Sequence, residues 1–359
     1  MKSKCYRAIS VLLSVLLLAA CTAAKPEVSG HETTMKPEEL KPYKKLLGEL
    51  NLTIDPGTEL LSAVQNAAGY DILTPLKHDY RSAMTEYFDS FKEHEAVKKF
   101  AAMRERGFSF HVPPAVMAHL SAPPALEYST AIPKEYLNRS GGKKSLNDFI
   151  SKLRAFYTET DFESFYKSND EFYNAVLNKV SDDIKDFQLE ARLNEYYGMK
   201  ANSYNLVLAP MLHTGGYGIR VKNANGQYDV YAFIGPMDIY TQNAGAYNKL
   251  PSFSKEEIAS LVWHEFSHSF VNPTTEKYSA EIYKYSKLFA PIKDIMSKQQ
   301  YPEWLTCVNE HIVRAVTTRM AYIYGGKADG DASLHYEKSC GFYYVEALCR
   351  SLEVYEKQR

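Results

Sequence analysis

The stretch Ser254-Lys255-Glu256-Glu257-Ile258-Ala259-Ser260-Leu261-Val262-Trp263-His264-Glu265-Phe266-Ser267-His268-Ser269-Phe270-Val271-Asn272-Pro273 reads as a single helix. Ser254 and Glu257 form a capping box at its start, Phe253 and Ile258 a hydrophobic staple across it, and Asn272-Pro273 is the predicted stop. Ile258, Val262 and Phe266 recur at helical spacing and make an apolar stripe. His264 and His268 stand four residues apart, so both imidazoles leave the same side on successive turns. Two nitrogen ligands so spaced, beside a carboxylate that does not bind, suit a tetrahedral zinc ion. Zinc brings the pKa of a bound water to about 7, and Glu265 is the predicted general base that accepts its proton. The competing readings are hydrogen-bonded histidines of a packed helix, or a metal site without activity.

A catalytic zinc needs a third protein ligand. A metzincin would place glycine and histidine where Val271 and Thr274 stand, which excludes that class. The preferred ligand is Glu310, in a helix predicted from about Pro302 to Tyr324. There it shares a polar stripe with Thr306, Cys307, Arg314 and Thr317 on an otherwise apolar helix. A plain i,i+4 pair of Glu310 with Arg314 is the competing reading. Glu281, Glu303 and His311 are the other candidate ligands.

The HEFSH motif followed by the Asn309-Glu310 helix resembles the gluzincin zinc peptidases, in which a glutamate on a second helix completes the metal site. That resemblance covers Tyr204 to about Tyr324 and implies peptide hydrolysis, with a peptide or protein as substrate. It also implies an edge strand for substrate pairing, for which Gly215-Gly216-Tyr217-Gly218 leading into Ile219-Arg220-Val221 is suited. An electrophile for the oxyanion is expected, with Tyr278, Tyr283, His311 and Arg314 as candidates. Val313 and Arg314 replace the Ser-Asp pair that steadies a ligand histidine in thermolysin-type enzymes, so that support must come from elsewhere. Over nearly the whole mature chain the sequence also resembles an uncharacterised bacterial lipoprotein family, a domain of unknown function of metalloprotease-like character. The residues carrying that impression are Asp55 to Leu61, Tyr87-Phe88 before His94, Arg104 to Phe108, Gly215 to Gly218 and His264 to Pro273.

Outward from the motif, Tyr204–Ala209, Tyr217–Val221 and Tyr228–Ile234 are short β-type runs, and Asn223-Ala224-Asn225-Gly226 carries hairpin-turn residues. A small antiparallel sheet is therefore expected. Residues 37–200 carry helical patterns such as Tyr80-Met84-Tyr87-Phe88-Phe91, broken at Pro113-Pro114, Pro123-Pro124 and Gly141-Gly142. The expected architecture is α+β and predominantly helical, with a helical N-terminal region at 37–200 and a zincin-like catalytic region at 201–359.

At the other end, Lys2, Lys4 and Arg7 precede the apolar run Ile9 to Ala20, a signal peptide over 1–20 that is too short to span a membrane. Leu18-Ala19-Ala20-Cys21 resembles a bacterial lipobox, which makes Cys21 the expected lipidation site, 21–36 a tether, and the cell envelope the location. Cys307, Cys340 and Cys349 remain, enough for one disulfide of unassigned pairing. A formal net charge of -1 offers no attraction to nucleic acid, and no dinucleotide loop, phosphate loop or nucleophile elbow occurs. The 28 tyrosines are read as half-buried packing rather than a sugar-binding surface. The alternative function is a non-catalytic envelope lipoprotein that binds peptide or glycan on a zincin scaffold.

Overall fold

A computed structural model describes residues 38–241 and 247–358. The expected signal peptide over 1–20, the expected lipidation site Cys21 and the expected tether at 21–36 lie outside the described residues. Two strands open the fold, β1 (Tyr43–Leu47) and β2 (Leu50–Ile54), joined at Gly48-Glu49. Leu-Asn-Leu-Thr-Ile in β2 alternates apolar and polar side chains, and Leu50, Leu52 and Ile54 are buried. The helices that follow are α1 (Pro56–Ala67), α2 (Asp79–Tyr87), α3 (Glu95–Arg104), α4 (Val112–Ala118), α5 (Lys134–Arg139), α6 (Lys143–Glu159), α7 (Phe162–Ser168), α8 (Asp170–Ile184) and α9 (Leu189–Tyr197). Then come β3 (Ser203–Leu208), β4 (Gly216–Lys222), β5 (Tyr228–Ile234), and a separate pair, β6 (Asp238–Thr241) with β7 (Lys249–Ser252). The C-terminal helices are α10 (Lys255–Lys277), α11 (Ser279–Tyr283), α12 (Lys293–Lys298), α13 (Trp304–Met320), α14 (Lys327–Ser339) and α15 (Val345–Glu356).

The main sheet runs β1-β2-β3-β5-β4 and is mixed: β2 pairs with β3 and β3 with β5 in parallel, while β1-β2 and β4-β5 are antiparallel. The protein is thus α+β and mainly helical, as expected, but two expectations are corrected. The sheet is mixed rather than antiparallel, and two of its strands come from the stretch read as a helical N-terminal region. The 37–200 and 201–359 regions are continuous through this sheet and through one core, within a single compact unit from Glu38 onwards.

Alternation in the strands fixes what each face of the sheet meets. Val207, Ile219, Val221 and Phe233 pack with Ala115 of α4 on one face. The other face presents the cross-strand row Leu52, Leu206, Ala232 and Gly218, followed by the row Leu50, Tyr204, Val230 and Arg220. Against this second face lies α10, with Ile258, Val262 and Phe266 in the core and Phe266 edge-on to Tyr204 at 5.3 Å. Side-chain size falls toward the β4 edge, from leucine to alanine to glycine, so α10 comes closest there. A Cβ on Gly218 would lie 2.0 Å from the Glu265 carbonyl oxygen, and one on Gly216 2.9 Å from Glu265 Cγ. These glycines admit the helix itself.

The start of α10 matches the sequence reading in position, with Ser254 at the N-cap, but its carbonyl rather than its side chain meets the first turn, accepting from the Glu257 and Ile258 N–H groups. The predicted stop is overridden. α10 runs through Pro273 to Lys277, although proline lacks the N–H that the Ser269 carbonyl would accept. Packing holds the extra turn, since the buried Thr275 hydroxyl is hydrogen-bonded to the Asn309 side chain of α13.

Candidate metal centre

His264, Glu265 and His268 project from α10, and Glu310 enters from α13. His264 Nε2 and His268 Nε2 stand 3.2 Å apart, His268 Nε2 is 3.3 Å from one Glu310 carboxylate oxygen, and His264 Nε2 is 3.6 Å from the other. Donors bound to one tetrahedral cation at about 2.0–2.2 Å lie about 3.3 Å from each other. The three contacts lie near that spacing, with each imidazole closest to a different oxygen of Glu310. Glu310 Oε2 is buried and makes no hydrogen bond among the described residues, with Arg314 Nε at 3.4 Å and His264 Nε2 at 3.6 Å as its charged or polar neighbours. His264, His268 and Glu310 could therefore hold a metal ion, and theirs is the single such group among the described residues.

The other ligand candidates stand elsewhere. Glu281 and Glu303 are exposed. His311 is buried, but its Nδ1 bonds the Cys307 carbonyl at 2.8 Å and its ring packs against Phe342 and Tyr344. The Glu310–Arg314 pair weighed as an alternative does exist, with Arg314 Nε 3.4 Å from Glu310. It coexists with the histidine contacts. Arg314 lies over the Phe342 ring and also bonds Glu337 at 2.8 Å, so it is a half-buried brace that holds Glu310 toward the histidines.

Support for a ligand histidine comes from Asn272, whose side-chain oxygen lies 3.2 Å from His268 Nδ1. When His268 gives up its second proton, that contact keeps the remaining one on Nδ1 and leaves Nε2 available to a metal ion. The residue read as a helix stop is thus the partner of a candidate ligand.

Charge in this pocket is tightly shared. Burial pushes His264 down to about 3. Burial would also lower His268, but the Glu310 carboxylate outweighs it and raises that imidazole to about 9. Glu310, despite the upward push of burial, is held well below the usual carboxylate range by His268, His264 and Arg314. Glu265 is 5% exposed, and burial lifts it to about 7 against the pull of His268, Arg314 and the nearby Gly218 backbone.

One tyrosine to which the sequence reading gives no role lies here: Tyr301, which feels Glu310 and Glu265 and is close enough to Arg314 for the guanidinium to oppose their effect. Tyr217, on β4, packs on the opposite face of the sheet with Ile219 and Phe233, beside the His111 and His213 rings, and its buried hydroxyl has no hydrogen-bond partner among the described residues. Of the four candidate electrophiles, Tyr278 and Tyr283 are each 49% exposed, whereas His311 and Arg314 are the two on α13. Cys307, Cys340 and Cys349 are all free thiols.

The fold and this group define a class: a mainly helical α+β protein whose central helix and a second helix bring together a two-histidine, one-glutamate set able to hold a metal ion. The chain belongs to the family described as "Domain of unknown function (DUF4932)", whose model matches residues 50–359. No curated protein and no solved structure matches the chain.

Proposed function

We propose that the protein is a zinc-dependent hydrolase, specifically a peptidase, in which His264, His268 and Glu310 hold the metal and Glu265 is the general base. The observation that carries the reading is the ligand triangle with Glu265 next to it and buried. Zinc bound there would act as a Lewis acid on a substrate carbonyl and make a water nucleophilic near neutral pH. The Glu265 carboxylate accepts the proton of the attacking water as the carbon–oxygen bond forms. It returns that proton to the amine nitrogen as the carbon–nitrogen bond breaks. Tyr301, oriented by Arg314, donates its hydroxyl to the oxygen on which negative charge develops.

Zinc is favoured over harder cations because two imidazoles and one carboxylate are a borderline donor set, whereas calcium and magnesium take oxygen ligands. Peptide as substrate is supported by β4, which closes one end of the sheet and passes directly over Glu265. Such an edge can pair with an extended chain. The signal and lipobox readings place this activity in the cell envelope, anchored through Cys21. No helix among the described residues is long and apolar enough to cross a membrane.

Elemental analysis of the purified protein tests the metal, with one zinc per chain expected, lost in His264→Ala and His268→Ala. Glu265→Gln should retain zinc and lose about 10²- to 10⁴-fold in peptide turnover. Unchanged turnover in that variant would leave a binding protein in place of an enzyme.

A further inference from the structure

One turn beyond His268, α10 and the sheet part to leave a cavity of about 560 Å³, walled by Met199, Asn202, Arg220, Tyr228, Ser269 and Pro273 among others. Two groups in this wall have no hydrogen-bond or ion-pair partner among the described residues. Ser269 is 6% exposed, and its buried hydroxyl makes no hydrogen bond among the described residues. Arg220 is half-buried, with its guanidinium carbon 3.3 Å from the centroid of the Tyr228 ring. Burial draws its pKa down, and Tyr228 is the neighbour that acts against this; among the described residues no carboxylate does so. A guanidinium stacked on a ring keeps its N–H donors in its own plane, free to meet a planar anion two at a time.

The cavity shares two elements with the candidate metal centre, though none of the centre's own residues lines it. Ser269 follows His268 on α10. Arg220 shares a sheet face with Gly218, which lies against the Glu265 backbone and His268 Cβ, and is about 6.8 Å further along β4. An extended peptide near Glu265 spans that distance with two residues.

We propose that this cavity is a subsite for a carboxylate of the peptide substrate, bound in bidentate fashion by Arg220 with the Ser269 hydroxyl as a further donor. The inference rests on the peptidase reading. It narrows the substrates to peptides with an acidic side chain, or a free carboxyl terminus, close to the cleaved bond. Those two sources share one chemistry, and the test separates them.

The full-length zinc form is given a synthetic peptide mixture containing acidic sequences and their Asn/Gln counterparts, prepared once with free and once with amidated carboxyl termini. Cleavage is read by mass spectrometry. The expected result is a preference of about 10- to 100-fold for Asp or Glu at one fixed distance from the cut, or for free over amidated termini. Arg220→Gln should bring that ratio close to one, Arg220→Lys should keep part of it, and Ser269→Ala should reduce it less. Circular dichroism checks that each variant is folded. Cleavage by wild type without an anionic preference, or an unchanged preference in Arg220→Gln, overturns the proposal. If wild type cleaves nothing, the peptidase reading fails by itself, and the cavity is then decided by titrating N-acetylglutamate amide and N-acetylglutamine amide. Saturable binding of the glutamate compound alone, lost in Arg220→Gln, upholds a carboxylate site; no binding overturns it.

Discussion

At the scale of single residues, the centre combines ligands that share a proton with a brace that shares a charge. Arg314 reaches Glu310 and Glu337 at once, and both carboxylates raise its pKa against the effect of burial. Replacing it removes charge from a buried carboxylate that must stay aimed at the histidines. We expect Arg314→Leu to weaken zinc retention by about 10- to 100-fold, the size typical of lost outer-shell partners. Competition with a chelator of known affinity measures this, and unchanged affinity would remove Arg314 from the site. Tyr301 has a different task, since it touches no ligand nitrogen and approaches the centre through Arg314. Tyr301→Phe should leave zinc affinity intact and lower kcat by about 10²- to 10³-fold, as when one oxyanion donor is deleted. A change confined to KM would assign Tyr301 to substrate binding instead.

At the scale of elements, the site depends on how closely β4 lies against α10. The Gly218 Cα is placed where any side chain would strike the Glu265 carbonyl oxygen at 2.0 Å and His268 Cβ at 3.1 Å. Gly218→Ala must therefore push strand and helix apart. A loss of about 1–3 kcal/mol is expected for such overpacking, together with reduced zinc retention because His268 moves with the helix. Urea denaturation with parallel zinc analysis would check both, and a variant as stable as wild type would mean the elements are free to separate. The glycines were visible in the sequence, but their role was read as room for a substrate when they first make room for a helix. That His264, His268 and Glu310 come together was legible because i,i+4 spacing and a polar stripe on an apolar helix are local patterns. β1 and β2 were not, although Leu50 to Ile54 alternates correctly, because β2 has its parallel partner about 150 residues later, in β3, and no local pattern records that pairing. Pro273 misled for a related reason: a tie between Thr275 and Asn309 continues the helix. Tyr301 sits before α13 in a loop without periodicity, so nothing in sequence pointed it at the site.

At the scale of the whole molecule, a second buried polar cluster lies apart from the candidate metal centre and governs stability more than chemistry. Glu59 on α1 is fully buried, hydrogen-bonded to the Tyr80 hydroxyl, which in turn lies 2.8 Å from the Tyr173 hydroxyl. Tyr80 and Tyr173 belong to the main core, on α2 and α8, so the cluster ties three helices of the N-terminal half together. Burial pushes the Glu59 carboxyl up to about 8, with Asp55 adding to the rise and Tyr80 opposing it. In the unfolded chain the same group ionises near 4.5. Between those values the folded protein holds a proton that the unfolded chain has released, so stability falls as pH rises through this window and levels off above about 8. The slope from this one group is about 1.4 kcal/mol per pH unit. Glu59→Gln keeps the size and a hydrogen-bonding head but cannot ionise, so the difference in stability between variant and wild type isolates Glu59 from every other titrating group. That difference should move in favour of the glutamine variant by more than 2 kcal/mol, roughly, between pH 5 and 8. Urea unfolding of both proteins at several pH values in that range decides it, and curves that stay parallel would mean that Glu59 ionises inside the folded core without penalty.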